Sequence, residues 1–158
     1  MSFFLSFGGK AIALALGLGL LHLSVSSVAG DFYEKDGVAL HGADPVSYFS
    51  GTPATQGKAE FSAVHKGSTF LFSSADNRAK FLADPGAYAP QFNGFCAFGA
   101  AGGYKAKSDP VAYSLVDGKL YLNYKADVRS KWSKDTTGFI NKATAQWAKV
   151  EKTTKVYE

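Results

Sequence analysis

Sulfur is scarce in this sequence, which has one cysteine, Cys96, and one methionine, Met1, in 158 residues. A single cysteine excludes a disulfide within the chain and any paired Cys-x-x-Cys motif. It also excludes a Cu(I) site built from several sulfur ligands of one mature chain. The other sulfur of the sequence belongs to Met1, which lies in the N-terminal segment that is expected to be removed. Stability must therefore come from a packed core, for which an aromatic content of 15% supplies large side chains.

Catalytic motifs are also missing. The sequence contains no phosphate-binding loop, no nucleophile-elbow pattern and no His-Glu-x-x-His segment. The acidic residues, 13 in all, form no pair that the sequence identifies as a general acid and base, and Cys96 has no evident base partner. These absences favour a binding protein over an enzyme, with a thiol enzyme as the less favoured alternative. The formal net charge of the chain is only +4, and many of its lysines are spread along the predicted C-terminal helices. This spacing predicts a solvated surface and no nucleic-acid partner.

The long apolar run of the sequence lies at its N-terminus. Lys10 is followed by apolar residues 11–23 and then by small residues up to Ala29. This order is typical of a secretory signal peptide, and the run is shorter than the roughly 20 residues of a membrane span. We therefore predict a signal peptide over 1–29, one mature domain over 30–158, a periplasmic or secreted location, and no stable membrane span after cleavage. The alternative is an uncleaved N-terminal anchor, lengthened by the aromatic residues near the start.

Short strand and helix patterns alternate through the rest of the chain and predict a small, compact α+β domain. Two hairpins are expected, the second around the preferred turn Asp117-Gly118. Their paired strands are 61–64 with 69–72 and 111–116 with 119–124. Asp44 is expected to cap a helical turn that begins at Pro45. Two helices are expected to close the chain, one pairing Val128 with Trp132 and one running from Phe139 to Val150.

One further helix is expected between the two hairpins. Ser73 is its predicted N-cap, with Asp76 as a capping-box partner, and Asp84-Pro85 is its predicted end. Its apolar residues Ala75, Ala79 and Leu82 are predicted to lie on one side, with Phe81 beside them.

Four segments carry a recognisable combination of motifs: ADPVSYF (43–49), HKGSTFLFSSADNRAKFLADPGAYAP (65–90), FNGFCAFG (92–99) and DGKLYLNY (117–124). Together they cover much of the mature chain and resemble the YHS-domain family, in particular its small exported stand-alone members. That family is related to the TRASH-type metal-associated domains, which are small α+β modules found beside copper-transport ATPases and some oxygenases. The resemblance therefore implies an α+β fold and binding of a transition metal, with copper first and zinc second.

The family pattern places cysteine ligands at three positions that hold other residues in this chain. They are Ser47, Ser73 and Asn77. Hydroxyl and amide groups are poor ligands for soft ions, so the thiolate site that the resemblance implies is not expected here. The remaining candidate metal ligands are Cys96, His41 and His65, since one cysteine and two histidines suit Cu(II) or Zn(II).

Cys96 itself has three alternative interpretations: a metal or redox ligand, a catalytic nucleophile, or a small buried side chain among phenylalanines. The function that competes with metal binding is a metal-free accessory module, with an aromatic-lined pocket for a small ligand or a protein partner. The candidate pocket residues are Tyr48, Phe49, Tyr88, Phe92, Phe95 and Tyr104.

Overall fold

Eight short strands pair into four two-stranded sheets in the computed structural model, which describes residues 30–158. The strands are β1 (Glu34–Lys35), β2 (Val38–Ala39), β3 (Lys58–His65), β4 (Ser68–Phe72), β5 (Lys105–Ala106), β6 (Asp109–Val116), β7 (Lys119–Asn123) and β8 (Val156–Tyr157). β1–β2, β3–β4 and β6–β7 are antiparallel, whereas β5 and β8 pair in parallel. The two longest hairpins, β3–β4 and β6–β7, are the two that the sequence predicts.

Five α-helices and three short 3-10 helices make up the helical part of these residues. The α-helices are α1 (Ala75–Ala83), α2 (Pro85–Tyr88), α3 (Ala97–Ala101), α4 (Ala126–Trp132) and α5 (Thr136–Val150). The 3-10 helices are Leu40–Gly42, Pro45–Phe49 and Gln91–Gly94. α4 and α5 are the predicted C-terminal helices, and the α+β class is confirmed.

Both long hairpins turn through two residues with left-handed backbone. Lys66 and Gly67 have φ values of 48° and 78°, and Asp117 and Gly118 have φ values of 50° and 71°. Two left-handed residues in succession give the turn whose twist matches that of the flanking strands. Glycine enters this region without steric cost, which explains why the Asp117-Gly118 pair predicts the second turn correctly.

The first hydrophobic cluster joins β4, β7 and α1. Phe70, Phe72 and Phe81 are fully buried, and the Phe81 ring centroid lies 4.9 Å from that of Phe70 and 5.1 Å from that of Phe72. Burying each such side chain stabilises the fold by about 1.5–3 kcal/mol. Ala75, Ala79 and Leu82, the apolar side predicted for α1, are all exposed, Leu82 to 50%. Phe81 instead takes the position facing the hairpin, and the neighbouring side chain of Leu82 points elsewhere.

The predicted N-cap of α1 is wrong by one residue. Ser74, not Ser73, caps the helix, and its Oγ accepts a hydrogen bond of 3.1 Å from the backbone N–H of Asn77. The Ser73 hydroxyl instead donates to the carboxylate of Asp44, at 2.7 Å. The Asp44 cap at Pro45 is confirmed, since one carboxylate oxygen accepts from the N–H of Val46 at 2.9 Å.

A second cluster packs beneath the C-terminal helices. Trp132 is almost fully buried, and its ring centroid lies 5.5 Å from that of Tyr121. α5 lies against α3, where the Gln146 side chain donates a 2.8 Å hydrogen bond to the Ala101 carbonyl. After α5 the chain returns to β5 through β8, a pairing that the sequence does not predict.

The predicted signal peptide at 1–29 lies outside the described residues. Within 30–158, no helix has the length and apolar character needed to cross a bilayer.

Candidate ligand-binding site

Cys96 lies at the junction between α3 and β7. It is the N-cap residue of α3, and its sulfur accepts a 3.4 Å hydrogen bond from the Gly99 N–H. The thiol donates towards Oδ1 of the buried Asn123, at a sulfur–oxygen distance of 3.8 Å. The same Oδ1 accepts from the Phe98 N–H at 3.2 Å. Because both strand and helix hold the thiol, its position is well defined.

The Cys96 thiol is protonated at neutral pH. It is 2% exposed, and burial raises its pKa above the ordinary value of 9.0, because a thiolate is poorly solvated in an apolar site. Hydrogen bonds from the backbone of Gly99, Tyr124 and Phe98 lower the pKa, by less than burial raises it. The side chain therefore presents a neutral, polarisable sulfur rather than an activated nucleophile.

A cavity of about 570 Å³ opens above this sulfur. We call it the Cys96 cavity. Its lining residues are Cys96, Phe98, Tyr104, Ala106, Tyr124, Lys125, Asp127, Val128, Lys131 and Tyr157. The Tyr104 and Tyr157 rings meet edge to face, with centroids 5.2 Å apart. Four aromatic rings thus line the cavity, and its charged side chains all come from the segment from Lys125 to Lys131, which includes most of α4.

The glycine-rich run after α3 places Tyr104 on the cavity wall. A Cβ atom added at Gly102 would lie only 2.7 Å from Cε1 of Tyr104, and Gly103 has a φ of +85°. The missing side chain lets the ring fold back over α3, and the left-handed residue turns the chain into β5. This close packing, rather than nucleotide binding, accounts for the glycines of this segment.

His41 lies on a different cavity, of about 530 Å³, which Tyr33, Lys107 and Asp109 also line. Its Nε2 is buried and has no hydrogen-bond partner within 30–158, and its ring centroid lies 5.7 Å from that of Tyr33. Burial, with the nearby Lys35 charge, lowers the pKa of His41 below 6.5. The imidazole is therefore neutral at neutral pH.

His65 lies on a third cavity, at the end of β3. Its ring packs among phenylalanines, with centroid distances of 5.9 Å to Phe32 and 5.7 Å to Phe81. The three predicted metal ligands thus face three separate cavities. Within the described part of the chain, no group of three or more His, Cys, Asp or Glu side chains is arranged to hold a metal ion.

Of the six predicted pocket aromatics, Tyr104 alone lines the Cys96 cavity. Tyr48 is buried in the first cluster and donates a 2.9 Å hydrogen bond to the Pro110 carbonyl. Phe49 and Tyr88 pair edge to face at 5.4 Å. These three rings stabilise the core and its margin.

The Phe92 and Phe95 rings both pack near Trp147, with centroid distances of 5.4 Å and 6.4 Å. Each lines a cavity other than the Cys96 cavity. Sequence reasoning missed the rings that do accompany Tyr104, namely Phe98, Tyr124 and Tyr157. A signal existed for Tyr124, which is the last residue of a predicted strand, but none for Tyr157.

The three positions of the implied thiolate site lie around Asp44, which is fully buried. Oδ2 of Asp44 accepts hydrogen bonds from the Ser73 N–H (2.9 Å), the Ser73 hydroxyl (2.7 Å) and the Asn77 side-chain amide (2.7 Å). The Ser47 hydroxyl donates to the Asp44 carbonyl at 2.6 Å. All these polar hydrogens point at protein oxygen atoms, and no sulfur is present. The residues therefore do not fit a soft-metal site, and they form a hydrogen-bonded network instead.

Comparisons of the chain with protein-family models, with curated proteins and with solved structures gave no match.

Proposed function

We propose that this domain is a binding module that takes up a small organic ligand in the Cys96 cavity. The observation that supports the proposal most strongly is the cavity itself, about 570 Å³ in volume, with a buried thiol and four aromatic rings in its lining. Ligand sites in proteins are typically concave, about 300–1,000 Å³ in volume and mostly apolar, with a few placed polar groups. The Cys96 cavity has each of these properties.

The thiol serves this function as part of an apolar surface. A protonated sulfur is polarisable and makes favourable contacts with aromatic and aliphatic groups. Thiol catalysis is less well supported, because burial raises the pKa of Cys96 and both His41 and His65 lie on other cavities. Copper or zinc binding at Cys96, His41 and His65 would need these cavities to rearrange, so it stays a separate hypothesis.

The experiment that tests the proposal is a screen of aromatic fragments by ligand-observed NMR, with binding mapped by amide chemical shifts of the protein. We expect hits whose shifts centre on α3 and α4, and slower iodoacetamide alkylation of Cys96 when a hit is bound. Val128→Trp fills the cavity, whereas Val111→Trp places the same side chain on an exposed strand position outside it.

Binding lost in Val128→Trp and retained in Val111→Trp supports the proposal. The proposal is wrong if no fragment binds, or if both tryptophan variants bind as the wild type does. Unfolding midpoints measured for both variants show that each is folded under the conditions of the assay.

A further inference from the structure

We infer that the Cys96 cavity selects an aromatic carboxylate, with the ligand ring packed against the Tyr104–Tyr157 pair and the carboxylate held by Lys131. This inference rests on the proposed function and adds the chemical class of the ligand. It is carried by two features of the lining, namely a lysine on α4 without an acidic partner among the described residues and an edge-to-face pair of tyrosines from other elements.

The positive side of the cavity is formed by one continuous segment. Lys125 precedes α4, and Lys131 lies two turns further along the chain, with Asp127 between them. The Lys125 Nζ lies 3.5 Å from an Asp127 carboxylate oxygen, so those two charges largely offset each other. Within 30–158, no carboxylate lies within ion-pair distance of Lys131. The rim therefore carries a net positive charge that Lys131 leaves available to a ligand.

The aromatic side of the cavity comes from other elements. Tyr104 follows α3, and Tyr157 belongs to β8, so the β5–β8 pairing brings a ring from the end of the described chain to this wall. The edge-to-face pair of Tyr104 and Tyr157 offers ring surfaces against which a flat apolar group can pack. The Cys96 sulfur between the two sides is uncharged at neutral pH and does not repel an anion.

This arrangement discriminates among three ligand classes. A cationic ligand would meet Lys131 and an acidic group already paired with Lys125. A neutral ligand would gain the aromatic contacts and nothing from the lysines. An aromatic carboxylate gains both, with the carboxylate end near solvent, where an ion costs little to hold.

Three ligands of matched shape separate these classes: 2-naphthylacetate, 2-naphthylacetamide and 2-(2-naphthyl)ethylamine. Naphthalene fluorescence reports binding of each by titration at low ionic strength. We expect the acid to bind about threefold more tightly than the amide, because an ion pair with the solvent-exposed Lys131 contributes only a small factor. The amine should bind least tightly. Added salt should weaken binding of the acid and leave that of the amide nearly unchanged.

The matched variants are Lys131→Gln, Lys131→Glu and Lys134→Gln, the last of which neutralises a nearby lysine outside the cavity lining. The preference for acid over amide should largely disappear in Lys131→Gln, reverse in Lys131→Glu, and persist in Lys134→Gln. Equal affinity of wild type for acid and amide overturns the inference while leaving the proposed function intact. So does an unchanged preference in both Lys131 variants. Failure of all three ligands to bind, together with an unproductive fragment screen, overturns the proposed function as well.

Discussion

Replacing the buried carboxylate of Asp44 should destabilise the domain far more than removing any exposed charge. Asp44 is 0% exposed and accepts four hydrogen bonds, from Val46 N–H, Ser73 N–H, the Ser73 hydroxyl and the Asn77 amide, at 2.7–2.9 Å. The partners at Ser73 and Asn77 lie 29 and 33 residues along the chain. Asp44 therefore joins the 3-10 helix Pro45–Phe49 to the start of α1, and its partners Ser73 and Asn77 lie at positions where the YHS family pattern has cysteines.

The magnitude follows from the hydrogen bonds. Asp44→Asn conserves the side-chain volume but replaces one carboxylate oxygen by an NH₂ group. That group faces a donor in either orientation, because one oxygen accepts from Val46 and the other from Ser73 and Asn77. Removing one charged acceptor and leaving buried donors without partners costs about 1.5–3 kcal/mol for each strong interaction lost. Water can reach the half-buried Ser73 and Asn77 and offset part of this loss. We therefore expect about 2–4 kcal/mol for Asp44→Asn, and more for Asp44→Ala, which also loses the cap of the 3-10 helix.

Urea unfolding followed by tryptophan fluorescence measures this cost through the shift in midpoint at constant slope. Asp76→Asn is the matched control, since the same change at an exposed residue in the first turn of α1 should cost only a few tenths of a kcal/mol. Asn77→Ala and Ser73→Ala each remove one donor and should cost about 0.5–1.5 kcal/mol. If Asp44→Asn unfolds at the same urea concentration as Asp76→Asn, the network contributes little and the reasoning from buried hydrogen bonds is refuted.

Four other predictions test the cap, the thiol, the candidate metal ligands and export. Ser74→Ala should lower the free energy of unfolding by about 0.5–2 kcal/mol, because it removes the N-cap of α1; an unchanged urea midpoint would contradict the assignment. The pKa of Cys96 is raised on folding, so its contribution to stability is complete below the unfolded thiol pKa and is lost as pH rises through the folded one. Wild type should thus lose more stability than Cys96→Ser between pH 8 and 10, and parallel pH profiles would count against a buried neutral thiol. Because Cys96, His41 and His65 face separate cavities, copper titration of their single variants should not show one shared site. Loss of copper binding in each of the three single variants would instead support the three-residue metal site. Exported protein should lack residues 1–29 by intact mass, and retention of them would defeat the signal-peptide prediction.

Predictions from the sequence were right where a feature depends on neighbouring residues. The β6–β7 hairpin follows from Asp117-Gly118, because the backbone preference of that pair selects the turn. The cap at Pro45 likewise follows from Asp44 and its position immediately before a proline. Such features need no information from distant segments.

Predictions failed where a distant residue decides between near-equivalent neighbours. Ser73 and Ser74 have the same chemistry, and either is able to cap α1. The decision lies with Asp44, whose carboxylate takes the Ser73 hydroxyl and leaves Ser74 to cap the helix. Phe81 and Leu82 are similarly close in hydrophobicity, and the position of the β3–β4 hairpin decides which of them is buried.

The Cys96 cavity shows why the site was harder to predict than the fold. Its walls come from the end of β7, from α3 and α4, and from the two-residue strand β8, which has no periodic signal of its own. The sequence presents burial and function of Cys96 as alternatives, yet the side chain is 2% exposed and still lines a cavity large enough for a ligand. These two properties are compatible because a sulfur atom needs little exposed surface to form the floor of a site. Burial keeps the thiol neutral, so Cys96 contributes a polarisable surface to the cavity without adding a charge to its lining.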